Sequence, residues 1–245
     1  MKTLSLILPT ALIIFVYCLG PVPDFIGRCD IHLPSFNQCL SDAIQHAIIQ
    51  LKVPIPDYDL PVIDPFKPGH TAVYGNSKTG LRQTYSNIEI FGFTNINSTS
   101  ASFSRASEIL AINVTFNDFF VTFDYRIRGR FITIPVDVLS RNSSLHLVEP
   151  TFELVFYMYE VRRNGVVYFR AVNSTLNMVP KRAIFNYTRV FDNQSQNDAL
   201  NARINQNGNE AFDYLQKLFP QYFTVDFQKW FNNVLELVPA KSFFV

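Results

Sequence analysis

The spacing of hydrophobic and polar positions changes period twice along the chain. Beyond Ser35, Leu40, Ile44, Ala47, Ile48 and Leu51 recur at i, i+4, i+7, i+8 and i+11, one face of a helix. Ser35 and Gln38, behind Pro34, have the spacing of a capping box. The stretch "VPIPDYDLPVIDPF" then brings Pro54, Pro56, Pro61 and Pro65. Prolines at this density exclude helix and central strand and predict an extended run along a surface.

From about residue 70 to 191 the period is two. In "INVTF", Ile112, Val114 and Phe116 oppose Asn113, Thr115 and Asn117; in "FFVTFDYRI", Phe119, Val121, Phe123 and Tyr125 share a face. The inward parity switches at Asn117–Asp118, which predicts a bulge or bend. Two β-rich runs flank Asn164-Gly165, the signature of a hairpin with a type I′ turn. That hairpin is apolar on both faces, Val155, Tyr157, Tyr159 and Val161 opposing Leu154, Phe156 and Met158, as a curved sheet covered on both sides requires. Helical spacing then returns. Leu200, Ile204, Ala211, Leu215 and Leu218 make one stripe over 197–219, ended by Pro220, and Phe227, Trp230, Phe231, Val234 and Val238 make another, ended by Pro239. Helix, long antiparallel meander, then helices is an α+β arrangement.

The N-terminus changes the picture. Behind Lys2, "LSLILPTALIIFVYCLG" has the apolar core of a secretory signal, with small residues near Cys18 and Gly20. An anchor helix is the other reading, opposed by Pro9 within the run and by Pro21 and Pro23 after it. The expected organisation is a signal peptide over 1–20 and a single domain over 21–245, with no internal repeat or low-complexity linker. Cleavage leaves Cys29 and Cys39 as an isolated pair in an oxidising compartment, where a disulfide is the simplest outcome. Two unpaired thiols, or a metal site with His32, are the alternatives. The pattern Asn-x-Ser/Thr occurs at Asn97, Asn113, Asn142, Asn173, Asn186 and Asn193, candidate glycosylation sites in an exported chain. Asn142, in "SRNSS", reads as part of an exposed loop between strands. No downstream run of about 18 apolar residues exists, so no stable membrane anchor is expected.

Composition narrows the function. Charged residues are 17% of the chain, below the roughly 25% of ordinary globular proteins, and phenylalanine is used 24 times. The chain has apolar surface to hide, in a large core or around an apolar cavity. A net charge of +1 makes no case for nucleic acid or an anionic membrane. His32, His46, His70 and His146 are scattered, and no G-x-S-x-G, H-E-x-x-H or phosphate-binding glycine loop is present. Asp118 and Asp124 are expected to face opposite ways. Glu153 and Glu160 are expected to pair with Arg162, Arg163 or Arg170 across the hairpin. No catalytic set, cofactor or metal emerges, which turns the reading towards binding.

Four stretches carry a resemblance: the paired cysteines leading to "LPVIDP" at 29–65, "YRIRGRFITIP" at 125–135, "LNARINQNGNEAFDYLQKLFP", and "VLELVPAKSFF" near the C-terminus. Their order and spacing resemble the insect haemolymph juvenile-hormone-binding and takeout family over nearly the whole mature chain. The chain departs from the family's usual residues at Val53 and Gly208. The resemblance implies a long helix wrapped by a strongly curved antiparallel β-sheet, with an internal apolar tunnel. It implies a secreted carrier of a small hydrophobic ligand, a juvenile-hormone-like terpenoid or a fatty acid. The residues expected to line the tunnel are Phe119, Val121 and Phe123 on one strand, Phe156 and Met158 on the hairpin, and Leu215 and Phe219 on the helical stripe. The alternative is a secreted interaction or signalling protein with a packed interior and no small ligand, and an unidentified receptor is a candidate partner in either case.

Overall fold

The computed structural model describes residues 24–68, 72–76, 81–131, 134–216 and 220–244. The expected signal segment with Cys18, and also His70, Leu218 and Phe219, lie outside the described residues.

Among the described residues nine antiparallel strands form two sheets: β1 (Ala72–Asn76), β2 (Leu81–Phe91), β3 (Ile96–Ser104), β4 (Ile109–Phe116), β5 (Asp118–Phe131), β6 (Ile134–Val148), β7 (Thr151–Arg163), β8 (Val166–Val179) and β9 (Arg182–Asn186). The orders are β1-β2-β5-β6-β9 and β3-β4-β7-β8. The two are halves of one meander. β2 runs into β3, β4 into β5, β6 into β7 and β8 into β9 through connections of one to four residues. At that belt the backbones stay joined: Asn117 N–H donates to Asn95 O (3.0 Å), Glu149 N–H to Asn117 O (3.2 Å) and Phe116 N–H to Pro150 O (3.0 Å). The parity switch at Asn117 is this crossing from one half to the other, with Phe116 and Phe119 both buried on either side of it. Asp118 therefore shares the outward face of β5 with Asp124, contrary to the expected opposition. Six residues of strand, about 20 Å, still keep them apart.

The helices are α1 (Phe36–Gln50), α2 (Gln194–Asn205), α3 (Gly208–Gln216) and α4 (Pro220–Leu235). Ser35 makes no side-chain cap, because turns precede it and its backbone (φ −83, ψ 6) is not extended; Gln38 reaches Asp42 instead (2.9 Å). The proline-rich stretch holds a short 3-10 turn, Pro56–Tyr58, and buries Leu60, Ile63 and Phe66, so it is a core strap and not a surface run. The single helix expected over 197–219 is two helices. A turn at Gln206–Asn207 separates them, and Gly208 follows where a Cβ would meet Ala183 O at 2.1 Å. Pro220 opens α4 rather than ending its predecessor, as its missing N–H allows.

The β7–β8 hairpin turns at Asn164 (φ 50) and Gly165 (φ 80) with Arg163 paired to Val166. Its inner face is buried at Phe152, Phe156 and Met158. Its outer face is bare: Tyr157 and Tyr159 are each 40% exposed. Among the described residues no layer lies outside this sheet, so the apolar outer residues do not mark a second cover. Glu153 bonds Asn177, Glu160 pairs with Arg105, and Arg163 and Arg170 share Glu236, in place of the expected cross-hairpin pairs. Asn142 lies within β6 at a bulge (φ 55), not in a loop.

Helix side chains seal the sheet's edge strands. Ser41 of α1 accepts Ala101 N–H on β3 (2.8 Å). Asn232 of α4 accepts Ala171 N–H (2.8 Å) and donates to Ala171 O (2.9 Å) on β8. Beside β9 runs a ladder of asparagines four residues apart. Asn209 accepts Ala183 N–H, and Asn205, Asn201 and Asn197 each accept from and donate to one residue, Phe185, Tyr187 and Phe191 respectively. Four helical residues advance about 6.0 Å and two strand residues about 6.6 Å, so the first three amides meet Ala183, Phe185 and Tyr187 in step along β9 and its end, while Asn197 meets Phe191 four residues further on. An edge that would otherwise invite another chain is closed by side chains.

Candidate functional site

The helix and strand periods that built the fold also build a cavity. On α1, Leu40, Ala43, Ile44, Ala47, Ile48 and Leu51 face inward; on α4, Phe227, Trp230, Phe231, Val234 and Leu235 do. Alternate residues of β4 and β7 form the wall between them. The cavity volume is about 310 Å³, at the small end of ligand-binding cavities. Among the described residues none of the lining carries an ionisable side chain, a hydroxyl or an amide, and Trp230 supplies the one side-chain N–H. Water gains nothing there and a hydrocarbon does.

Each end has its own closure. At one end the disulfide joins Cys29 to Cys39 in the first turn of α1. Cys29 N–H donates to Phe243 O (3.1 Å), which brings the N-terminal segment and the C-terminal Phe243–Phe244 together over the cavity. At the other end stands Phe93, with ring centroids 4.8 Å from Phe119, 5.8 Å from Phe227 and 6.1 Å from Phe66. Asp64, in the "IDP" stretch, positions it. Its carboxylate accepts Gly92 N–H (3.0 Å), Thr94 N–H (3.0 Å) and the Thr94 hydroxyl (2.6 Å), fixing the turn that carries Phe93. Gly92 is required in that turn: φ is +107, and a Cβ would meet Asp118 O at 2.3 Å.

Of the expected wall residues, Phe156 and Met158 line this cavity. Phe119, Val121, Phe123 and Leu215 are outside its lining. Phe119 packs behind Phe93 and Phe152 (5.0 Å) as filled core. Phe123 belongs to a separate aromatic group in the five-stranded half, 5.3 Å from Tyr85 and 5.9 Å from Tyr187. There burial, and then the neighbouring phenols of Tyr187 and Tyr125, push the Tyr85 hydroxyl well above the ordinary tyrosine range, so it stays protonated. Val121 is half-buried and packs against the core, and Leu215 is buried on α3. The α1 stripe was visible in the sequence, and all five of its members line the cavity.

Other chemistry is sparse. His146 Nε2 lies 2.7 Å from Asp118 Oδ1 on the outer face, with Phe120 stacked on the imidazole at 4.1 Å. Among the described residues no group of three or more His, Cys, Asp or Glu could hold a metal ion. No described helix is long and apolar enough to cross a membrane. The six sequon asparagines are all exposed.

The sequence pattern of haemolymph juvenile hormone binding protein (JHBP) matches residues 9–245. The chain belongs to the haemolymph juvenile hormone binding protein family. Takeout 1 of Epiphyas postvittana, at 19% identity, aligns over 88% of this chain and 98% of its own, with a TM-score of 0.75. The shared fold is the takeout one, an antiparallel sheet wrapped about helices with an internal tunnel. In this JHBP-family chain the tunnel-side residues include the two-helix apolar wall of α1 and α4. A lipopolysaccharide binding protein, 12% identical, aligns over 81% of this chain and 37% of its own with a TM-score of 0.34, too low to inform the reading. Among curated protein sequences none matches. The JHBP and takeout family is a ligand-binding carrier fold.

Proposed function

We propose that the protein is a secreted carrier that encloses one small hydrophobic molecule, a juvenile-hormone-like terpenoid or a fatty acid, and acts by binding rather than catalysis. The observation that carries this reading is a cavity of about 310 Å³ walled, among the described residues, by hydrocarbon and aromatic side chains without an ionisable group. Covering about 300 Å² of apolar ligand surface there is worth roughly 7 kcal/mol before ordering costs. Export is supported by the apolar leader over 1–20, the Cys29–Cys39 disulfide and the exposed sequons at Asn97, Asn113, Asn142, Asn173, Asn186 and Asn193, two or more of which we expect to be glycosylated. Delivery to an unidentified receptor fits the same reading. Displacement of a fluorescent fatty-acid probe tests it. Saturable probe binding that terpenoid esters or fatty acids reverse is expected, and its absence from folded protein would remove the carrier reading.

A further inference from the structure

The outward face of β2, β5 and β6, at the end away from the belt, carries charge that the cavity does not use. Strand alternation turns Arg126, Arg128 and Arg130 outward on β5, and the register sets Arg82 of β2 directly opposite Arg128. Asp137 of β6, also opposite Arg128, is the acidic residue in these rows. It accepts from Arg126 Nε and Nη2 (both 2.8 Å) and from Arg128 Nε (3.1 Å). Asp124, one row nearer the belt, is occupied by Asn87 Nδ2 and Asn142 N–H. Four arginines against Asp137 and Asp124 leave this face at +2 (4 − 2), in a chain whose total is only +1. The net charge conceals a segregated one.

Two features point outward to an anion. Like charges directly opposite on paired strands destabilise a sheet, yet Arg82 faces Arg128, and among the described residues neither Arg82 nor Arg130 has an ion-pair partner. Guanidinium forks match phosphate oxygens in pairs. The face is the outside of a sheet and not a concavity, and Leu139, opposite Arg126, is 42% exposed in it. An open cationic face with an apolar side chain among the arginines fits a lipid headgroup layer better than a single soluble phosphate.

We propose that this arginine face docks the protein on an anionic phospholipid surface, where cargo that does not dissolve in water is loaded or released. The purpose of docking rests on the carrier reading; the docking itself does not. The test is flotation of the mature protein with phosphatidylcholine vesicles, with and without about 30% phosphatidylserine, at low and physiological ionic strength. Arg82→Gln/Arg130→Gln is the variant, because it leaves the Asp137 bridges intact. Wild type should partition onto the anionic vesicles and not the neutral ones, less so at higher salt. The double variant should partition about 30-fold more weakly, a factor of about five per arginine, with unchanged probe binding. Arg82→Lys/Arg130→Lys should retain the partition to within a few-fold. Equal partition onto both vesicle types, wild-type partition by the Gln variant, or retention on heparin without vesicle binding would each overturn the proposal. Vesicle binding without probe binding would sink the carrier reading and leave docking standing.

Discussion

Replacing Asn205 by Ala removes one of the two inner rungs of the asparagine ladder. Asn205 Oδ1 accepts Phe185 N–H at 2.7 Å and its Nδ2 donates to Phe185 O at 2.8 Å. Phe185 is 2% exposed, so water cannot readily replace either partner. A hydrogen bond between satisfied alternatives contributes about 1 kcal/mol, but a buried group left unpaired costs about 1–3 kcal/mol. Alanine is the better helix former by a few tenths of a kcal/mol, which offsets a small part of this. The expected loss is about 2–4 kcal/mol. At about 2–4 °C per kcal/mol for a domain of this size, Tm should fall by about 5–15 °C. Chemical denaturation with an unchanged m-value would show that the native fold is what lost stability. Hydrogen exchange should quicken at the Phe185 amide before it quickens at the β4–β7 pairs. A loss below about 0.5 kcal/mol would refute the reasoning, since the ladder would then be ornament on an edge held by other contacts.

A ring added to the cavity wall and a ring added to the core should behave differently. Ala47→Phe enters open space on α1, so stability should hold within about 0.5 kcal/mol while probe affinity falls at least about tenfold; Val121→Phe overpacks and should cost about 1–3 kcal/mol with affinity unchanged. Cys39→Ser opens a loop with a sequence separation of 10, and denaturant unfolding should register a loss of roughly 2–3 kcal/mol. Hydrogen bonds from Arg126 and then Arg128 lower the Asp137 carboxyl to about 2. A depressed carboxyl contributes its stability above the ordinary range near 3.9 and loses it as pH falls through the folded value. The Tm difference between wild type and Asp137→Asn should therefore be constant from about pH 7 to 4 and vanish between about pH 4 and 2.

The amphipathic face of α1, the Asn164-Gly165 hairpin and the α4 stripe were legible because each is a local period that the final packing keeps. The inward parity of β4 and β5 was legible for the same reason. What parity could not give is which buried residues face space and which face other side chains. Phe119 and Phe156 lie on equally apolar strand faces, yet Phe119 is packed among Phe93, Phe116 and Phe152 while Phe156 lines the cavity. The position of Phe93 depends on Asp64, 29 residues earlier, through bonds no pattern announces. The asparagines at 197, 201, 205 and 209 were visible as polar positions, and a polar stripe normally reads as a wet helix face. Their four-residue spacing was the signal, intelligible once a strand with a matching rise lies beside it. The arginine face was hidden by a net charge near zero, which sums over the whole surface.

The central claim is that the cavity between α1, α4 and the four-stranded sheet holds a hydrophobic molecule. Native mass spectrometry of the protein secreted from insect cells, before and after incubation with a fatty acid or a terpenoid ester, tests it most directly. The account predicts a mass increment of one small molecule per chain, recoverable by organic extraction and lost in Ala47→Phe. The bare polypeptide and glycan mass alone, unchanged by incubation while the protein stays folded, would contradict it.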